Sequence, residues 1–139
     1  MDYDNKKVVE QFIQHAWTRG RYNLARQMMS RDFLYHACLS LDTCGADEFF
    51  DEVEKLRSAI GDFNLTVEDI MCDGDRAISI MTLCGTFQQS MFGLPPTHKL
   101  VGITCAVTWQ LQRGKVRHIN MMVDMAHLQL QIAAGAAAA

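Results

Sequence analysis

Acidic residues run out halfway along this chain. After Asp75 a single carboxylate, Asp124, remains up to the last residue. Proline is almost absent: the two prolines are adjacent, Pro95 and Pro96, so only the segment around them is barred from a regular strand. Five cysteines are present, Cys38, Cys44, Cys72, Cys84 and Cys105. The number is odd and no pair has CxxC spacing, which argues against a zinc or disulfide framework. Free thiols suit a reducing compartment, so a cytoplasmic location is expected. No Lys/Arg cluster occupies one face and the formal net charge is -3, which speaks against nucleic acid or an anionic membrane as partner. No apolar run is long enough to cross a bilayer, and the start, MDYDNKKVVEQF, is too polar for a signal peptide. No internal repeat is found.

What is present fits one folded domain. The chain has 139 residues, of which 49% are hydrophobic and 21% charged. Its nine methionines suit an adaptable apolar interior. Asp4 is placed to cap a first helix, whose stripe Val8, Val9, Phe12, Ile13, Ala16 and Trp17 recurs at helical spacing and ends at Gly20. A shorter helix carries Leu24, Ala25 and Met28. It leads into an extended piece, Phe33 to His36. A third helix presents Phe49, Phe50, Val53, Leu56 and Ile60 before Gly61-Asp62 stops it. The period then changes to two. Strands are expected from Phe63 to Met71, from Arg76 to Phe87, from Leu100 to Leu111, and after Arg113-Gly114, with a hairpin turn at Asp73-Gly74-Asp75. Helices followed by four consecutive antiparallel strands and a short terminal helix make an α+β domain. A twisted sheet of this kind curls, and the early helices would cover its concave side and leave a pocket. One domain over residues 1–132 is expected, followed by an Ala-rich tail over 133–139.

The segment GKVRHINMMVDMAHLQL, from Gly114 to Leu130, holds the main candidates. Asp124 has two readings there. It can cap the helix that follows, or it can be a carboxyl whose proton affinity is raised among methionines for acid/base work. Strand alternation adds His118, Asn120 and Met122 to the face of Asp124, as one pocket wall. Ile119, Met121 and Val123 would then point outward, toward a dimer partner. His118 is a candidate second acid/base group, since imidazole titrates near neutrality.

The run of Phe12 to Trp17, Gly20, Phe33, His36, Gly45, Val67-Glu68-Asp69-Ile70, Asp73 to Ala77, Gly85-Thr86-Phe87, Phe92 to Thr97, Arg113 to Val116 and Asp124 resembles the SnoaL-like polyketide cyclase family, of the nuclear-transport-factor-2-like superfamily. The resemblance extends from about Lys7 to Ile132. It implies a cone of curved antiparallel sheet and three helices, a homodimer formed through the sheet, and no metal or organic cofactor. It implies an Asp acid/base acting on a hydrophobic carbonyl compound, in a cyclase or isomerase. On that basis Asp124, His118 and His36 are the catalytic candidates, and Asn120, Trp17, Tyr35, Phe92 and Met122 the substrate-binding ones. The family usually carries an acidic residue and a Trp where this chain has His118 and Asn120, and its cyclases pair their Asp with a His on the preceding strand, where Lys99 to Gln112 has none. A non-catalytic small-molecule-binding module and a cofactor-free monooxygenase are the alternatives on the same fold.

Overall fold

The computed structural model describes residues 4–37 and 41–137. Helix α1 (Asn5–Ile13) begins at Asp4, whose side chain accepts from the Lys7 amide and satisfies one of the free N–H groups of the first turn. It continues as a π-helical turn over Gln14–Thr18, closed by the Arg19 amide on the Gln14 carbonyl. Then come α2 (Tyr22–Gln27), β1 (Met29–His36), β2 (Thr43–Cys44), α3 (Ala46–Ala59), β3 (Ile60–Asp73), β4 (Arg76–Phe87), β5 (Leu100–Gln112), β6 (Lys115–Val123) and α4 (Met125–Ala137). The α+β class and the three covering helices are as expected. Cys38 lies outside the described residues, and α4 continues past Ile132 into the Ala-rich stretch, where alanine's high helix propensity supports it.

The strands form one curved, unclosed six-stranded sheet in the order β2-β1-β6-β5-β4-β3. Four antiparallel strands were expected. The extended piece at Phe33 to His36 is in fact a full strand, and it pairs parallel with β6. Parallel pairing needs a long crossover, here the chain from α3 through β5, so no local turn signal announces it. Two bulges bend β3 against β4, between Gly61 and Asn64 and between Val67 and Asp69. At the first bend, a side chain on Gly85 would collide with the Gly61 carbonyl and the Ile60 methyl group, so only glycine lets β3 and β4 approach there. Pairing of β5 with β6 stops at Cys105 and Val123, and α4 takes over the free edge. Gln131 donates to the Gly102 carbonyl at 2.7 Å and accepts from its amide at 2.8 Å, and the Asp124 amide donates to Thr104. An otherwise open edge is thereby closed.

Alternation on β4, β5 and β6 decides what faces the helices. Ala77, Met81, Leu83 and Phe87 are buried on β4; Val101, Ile103, Cys105, Val107, Trp109 and Leu111 on β5; Val116, Ile119 and Met121 on β6. Ser79 is buried among them because it accepts from the Trp109 indole at 2.9 Å. From the helices come Val9, Phe12, Ile13, Trp17, Phe49 and Phe50. The Asn5 side chain ties the start of α1 to the β3–β4 turn through the Gly74 carbonyl, at 2.9 Å.

Phe49 holds this core together. Its ring meets those of Phe12, Trp17, Phe33, Tyr35 and Phe50 at centroid distances of 4.9–5.9 Å, all edge-on, the geometry that the ring quadrupole favours. Replacing Phe49 by Ala removes the shared partner of four elements and leaves a void that they cannot all close. We expect a loss of about 3–5 kcal/mol in urea unfolding. A loss below about 1 kcal/mol would show that the cluster collapses freely around the gap.

Candidate functional site

The rings around Phe49 fill only one end of the space between sheet and helices. The other end is an open-mouthed cavity of about 900 Å³. Its wall is built mainly from the inward faces of four elements and one loop. Tyr35 on β1 and Met121 on β6 are neighbours in the sheet, and the Tyr35 hydroxyl donates to the Met121 sulfur at 3.9 Å. Val53 and Leu56 come from one edge of the α3 stripe, and Trp17 from the π-helical turn. Such a turn shifts the register of its side chains relative to α1, and insertions of this kind are frequent at functional sites.

The loop after β4 forms the lip. The Met91 amide bonds the Leu94 carbonyl and the Leu94 amide the Met91 carbonyl, at 3.2 and 2.9 Å. The two residues between, Phe92 and Gly93, have φ of 54° and 72°. Both values are positive, as a primed two-residue turn requires. Gly93 accepts this readily. Phe92 is a bulky residue held in a left-handed conformation, which is uncommon and costs about 1–3 kcal/mol. The paired Met91–Leu94 hydrogen bonds offset that cost and hold Met91 and Phe92 at the cavity, both among its lining residues.

Of the expected site residues, Trp17, Tyr35 and Phe92 do line the cavity. The β6 residues are the reverse of the expectation. Ile119 is fully buried and Met121 is 7% exposed, both facing the helices, so neither can meet a dimer partner. His118 and Asn120 line a separate groove on the outer face of the sheet with Met71, Ile78 and Thr108, and Met122 is 47% exposed. The reason is competition for the core: of the two interleaved sets on β6, the set without His and Asn is the cheaper one to bury. His36 pairs with Asn120 in the register and its Nδ1 lies 2.8 Å from Asn120 Oδ1, away from the cavity. The buried Nε2 of His118 has no hydrogen-bond partner among the described residues.

Asp124 is exposed and is not among the cavity's lining residues. Its Oδ1 accepts from the His127 amide at 3.0 Å, and its carbonyl accepts from the Leu128 amide, so it is the N-cap of α4. The burial that an acid/base role required is absent. Among the described residues, no group of three His, Cys, Asp or Glu side chains is placed to hold a metal ion.

The charged groups of the cavity lie at its mouth. Asp42, Glu48, Glu52, Glu54 and Lys55 all contribute to the lining. Glu54 is engaged by the Tyr22 and Ser58 hydroxyls. Glu48 and Glu52 stand one helical turn apart on α3 and flank Cys44. The Cys44 thiol is pushed up from its ordinary value by burial first, then by the negative charges of Glu48 and Glu52. These two glutamates, with Met91, were not singled out from sequence, and Met121 was expected on the outer face. An i, i+4 carboxylate pair beside an apolar stripe reads as a solvated helix face unless the cavity is seen.

A six-stranded curved sheet covered by helices on its concave side, with a cavity at the wide end, defines a nuclear-transport-factor-2-like cone. The sequence profile of the SnoaL-like polyketide cyclase family matches residues 7–132, and the chain belongs to that family. Solved structures share the fold at low identity. A SnoaL-like protein of Jannaschia sp. CCS1 superposes with a TM-score of 0.82 at 18% identity, covering 95% of this chain and 96% of that one. TsrD of Streptomyces laurentii gives 0.80 at 16% identity, covering 95% and 97%. A SnoaL-like polyketide cyclase of Agrobacterium tumefaciens gives 0.79 at 14%, covering 94% and 99%. A search of curated proteins returned no match.

The cap role of Asp124 has a direct consequence. Asp124→Ala should lower stability by about 1 kcal/mol, measured by urea unfolding, because one amide of the first turn of α4 loses its acceptor. No change in stability would contradict the cap.

Proposed function

We propose that the cone binds a hydrophobic carbonyl compound, with the Tyr35 hydroxyl as its polar anchor and Trp17, Val53, Leu56, Met91, Phe92 and Met121 around the apolar body. The observation that carries this is the cavity itself: about 900 Å³, within the range of ligand pockets, apolar inside and with one buried hydroxyl at its wall. The chain acts on this reading as a small-molecule-binding member of its family. Carboxylates stand only at the mouth, and Asp124, His118 and His36 lie elsewhere.

A catalytic reading, cyclisation or isomerisation of the bound carbonyl compound, has one specific support. Tyr35 is 4% exposed and lines the cavity, and its hydroxyl would stabilise a developing enolate oxygen on turning from the Met121 sulfur. In that case the proton acceptor would come from the rim carboxylates.

Naphthyl methyl ketone serves as probe, with affinity read by calorimetry. Ala37→Trp places an indole in the cavity from a half-buried lining position and should weaken binding at least about tenfold, whereas Asp124→Asn should leave it unchanged. Unaltered binding to Ala37→Trp in a folded protein, or its loss in Asp124→Asn, would contradict the reading.

We further propose that two copies associate through the outer face of the sheet. Leu34, Met71, Ile78 and Met122 are 40–55% exposed there, apolar surface that a second copy could cover. Sedimentation should find a dimer for the wild type and a monomer for Ile78→Lys. A wild-type monomer would refute the association.

A further inference from the structure

The wall of the cavity brings a hydroxyl and a sulfur together. Tyr35 of β1 and Met121 of β6 stand on neighbouring parallel strands, and both are buried and line the cavity. The Tyr35 ring has little freedom, because it packs edge-on against Phe49 at a centroid distance of 4.9 Å. Its hydroxyl can still turn about the C–O bond, and it donates to the Met121 sulfur at 3.9 Å. A thioether is a weak acceptor, and this contact is much longer than the roughly 2.7 Å of a hydroxyl on an oxygen. Resting on the proposal that the cone binds a carbonyl compound with Tyr35 as its anchor, we infer that Met121 is a positioning and specificity-determining residue. Its sulfur holds the Tyr35 proton on the cavity wall until a carbonyl oxygen takes it over.

The strength of the acceptor decides what the pair can do. A buried hydroxyl proton with no acceptor is costly, so a wall residue that takes it stabilises the unliganded cone. An amide or carboxylate in the place of Met121 would hold the proton firmly and compete with a ligand. A plain hydrocarbon side chain there would leave the proton unpaired. The sulfur lies between these extremes: it satisfies the hydroxyl, and a ligand oxygen displaces it with a net gain. The backbone of Met121 is fixed in the ladder opposite Val107 of β5, while its flexible thioether can shift as a ligand enters. A hydrocarbon of the same shape as the carbonyl compound has no oxygen to offer, so it leaves the Tyr35–Met121 bond in place and gains nothing from it. The pair therefore separates ligands by their acceptor, whereas the apolar wall around it separates them by shape.

Two probes of one shape test this: naphthyl methyl ketone, and isopropenylnaphthalene, in which a methylene group replaces the carbonyl oxygen. Their affinities are compared by calorimetry. Met121→Leu keeps the volume of the side chain and removes the sulfur. It should strengthen the ketone about threefold, because the ligand no longer competes for the proton, and leave the hydrocarbon unchanged. Met121→Ile, which also lacks the sulfur, should act in the same direction. Tyr35→Phe should weaken the ketone about fivefold and again spare the hydrocarbon. In the double variant Tyr35→Phe/Met121→Leu the leucine should bring no gain, since there is no proton left to release. Equal changes for ketone and hydrocarbon in Met121→Leu, which altered packing alone would produce, would overturn the inference. So would the same gain with Tyr35→Phe already present, or an unchanged ketone affinity in Met121→Leu. If Tyr35→Phe alone then still weakens the ketone, the anchor reading stands and only the role of Met121 fails. If Tyr35→Phe leaves the ketone unaffected, or neither probe binds, both fail together.

Discussion

Everything positioned in this molecule depends on how one ring, that of Phe49, is surrounded. The five aromatic rings against it come from α1, the π-helical turn, β1 and α3 itself. Trp109 of β5 joins through Phe12 and Trp17, and is itself pinned by Ser79 of β4. The cluster therefore locks helices to a sheet that would otherwise be free to change its curvature. Its position at one end of the cone has a second effect. The rings fill that end and leave the other open, so Trp17 and Tyr35 serve the core with one side and the cavity with the other. Stability and the binding space are set by the same side chains.

The helices, hairpins and long strands were legible in the sequence because their signals are local. The Phe12–Trp17 stripe, the Phe49–Leu56 stripe, the alternation of Val101 to Trp109 and the glycine turns each follow from residues close together in the chain. The parallel pairing of β1 with β6 was not legible, since it joins residues more than eighty positions apart. The faces of β6 were misjudged for a different reason. That strand alternates between Ile119-Met121 and His118-Asn120-Met122, and both sets have a claim on a wall. Reading the polar set as functional sent it inward, whereas burial follows the lower desolvation cost and sends it outward. A one-residue change of register exchanges the faces completely, so His118, Asn120 and Met122 stand on the outer face together.

Of the candidate site, the aromatic members Trp17, Tyr35 and Phe92 were legible, and the acid/base members were placed away from the cavity. Membership of the SnoaL-like family establishes the fold and the cone, and folds of this kind host more than one chemistry. In this chain the cavity wall carries Met91 and Met121, and the carboxylates of its lining, Glu48 and Glu52 among them, are exposed. An apolar interior rich in methionine tolerates ligands of varied shape.

The nine methionines allow the most direct test of where a ligand sits. Met91 and Met121 line the cavity, while Met71 and Met122 stand on the outer face of the sheet. In a methionine-methyl NMR titration with naphthyl methyl ketone, the resonances of Met91 and Met121 should move with ligand concentration and those of Met71 and Met122 should stay in place. Shifts confined to Met71 and Met122 would contradict the account, because the binding site would then be the outer groove beside His118 and not the cone.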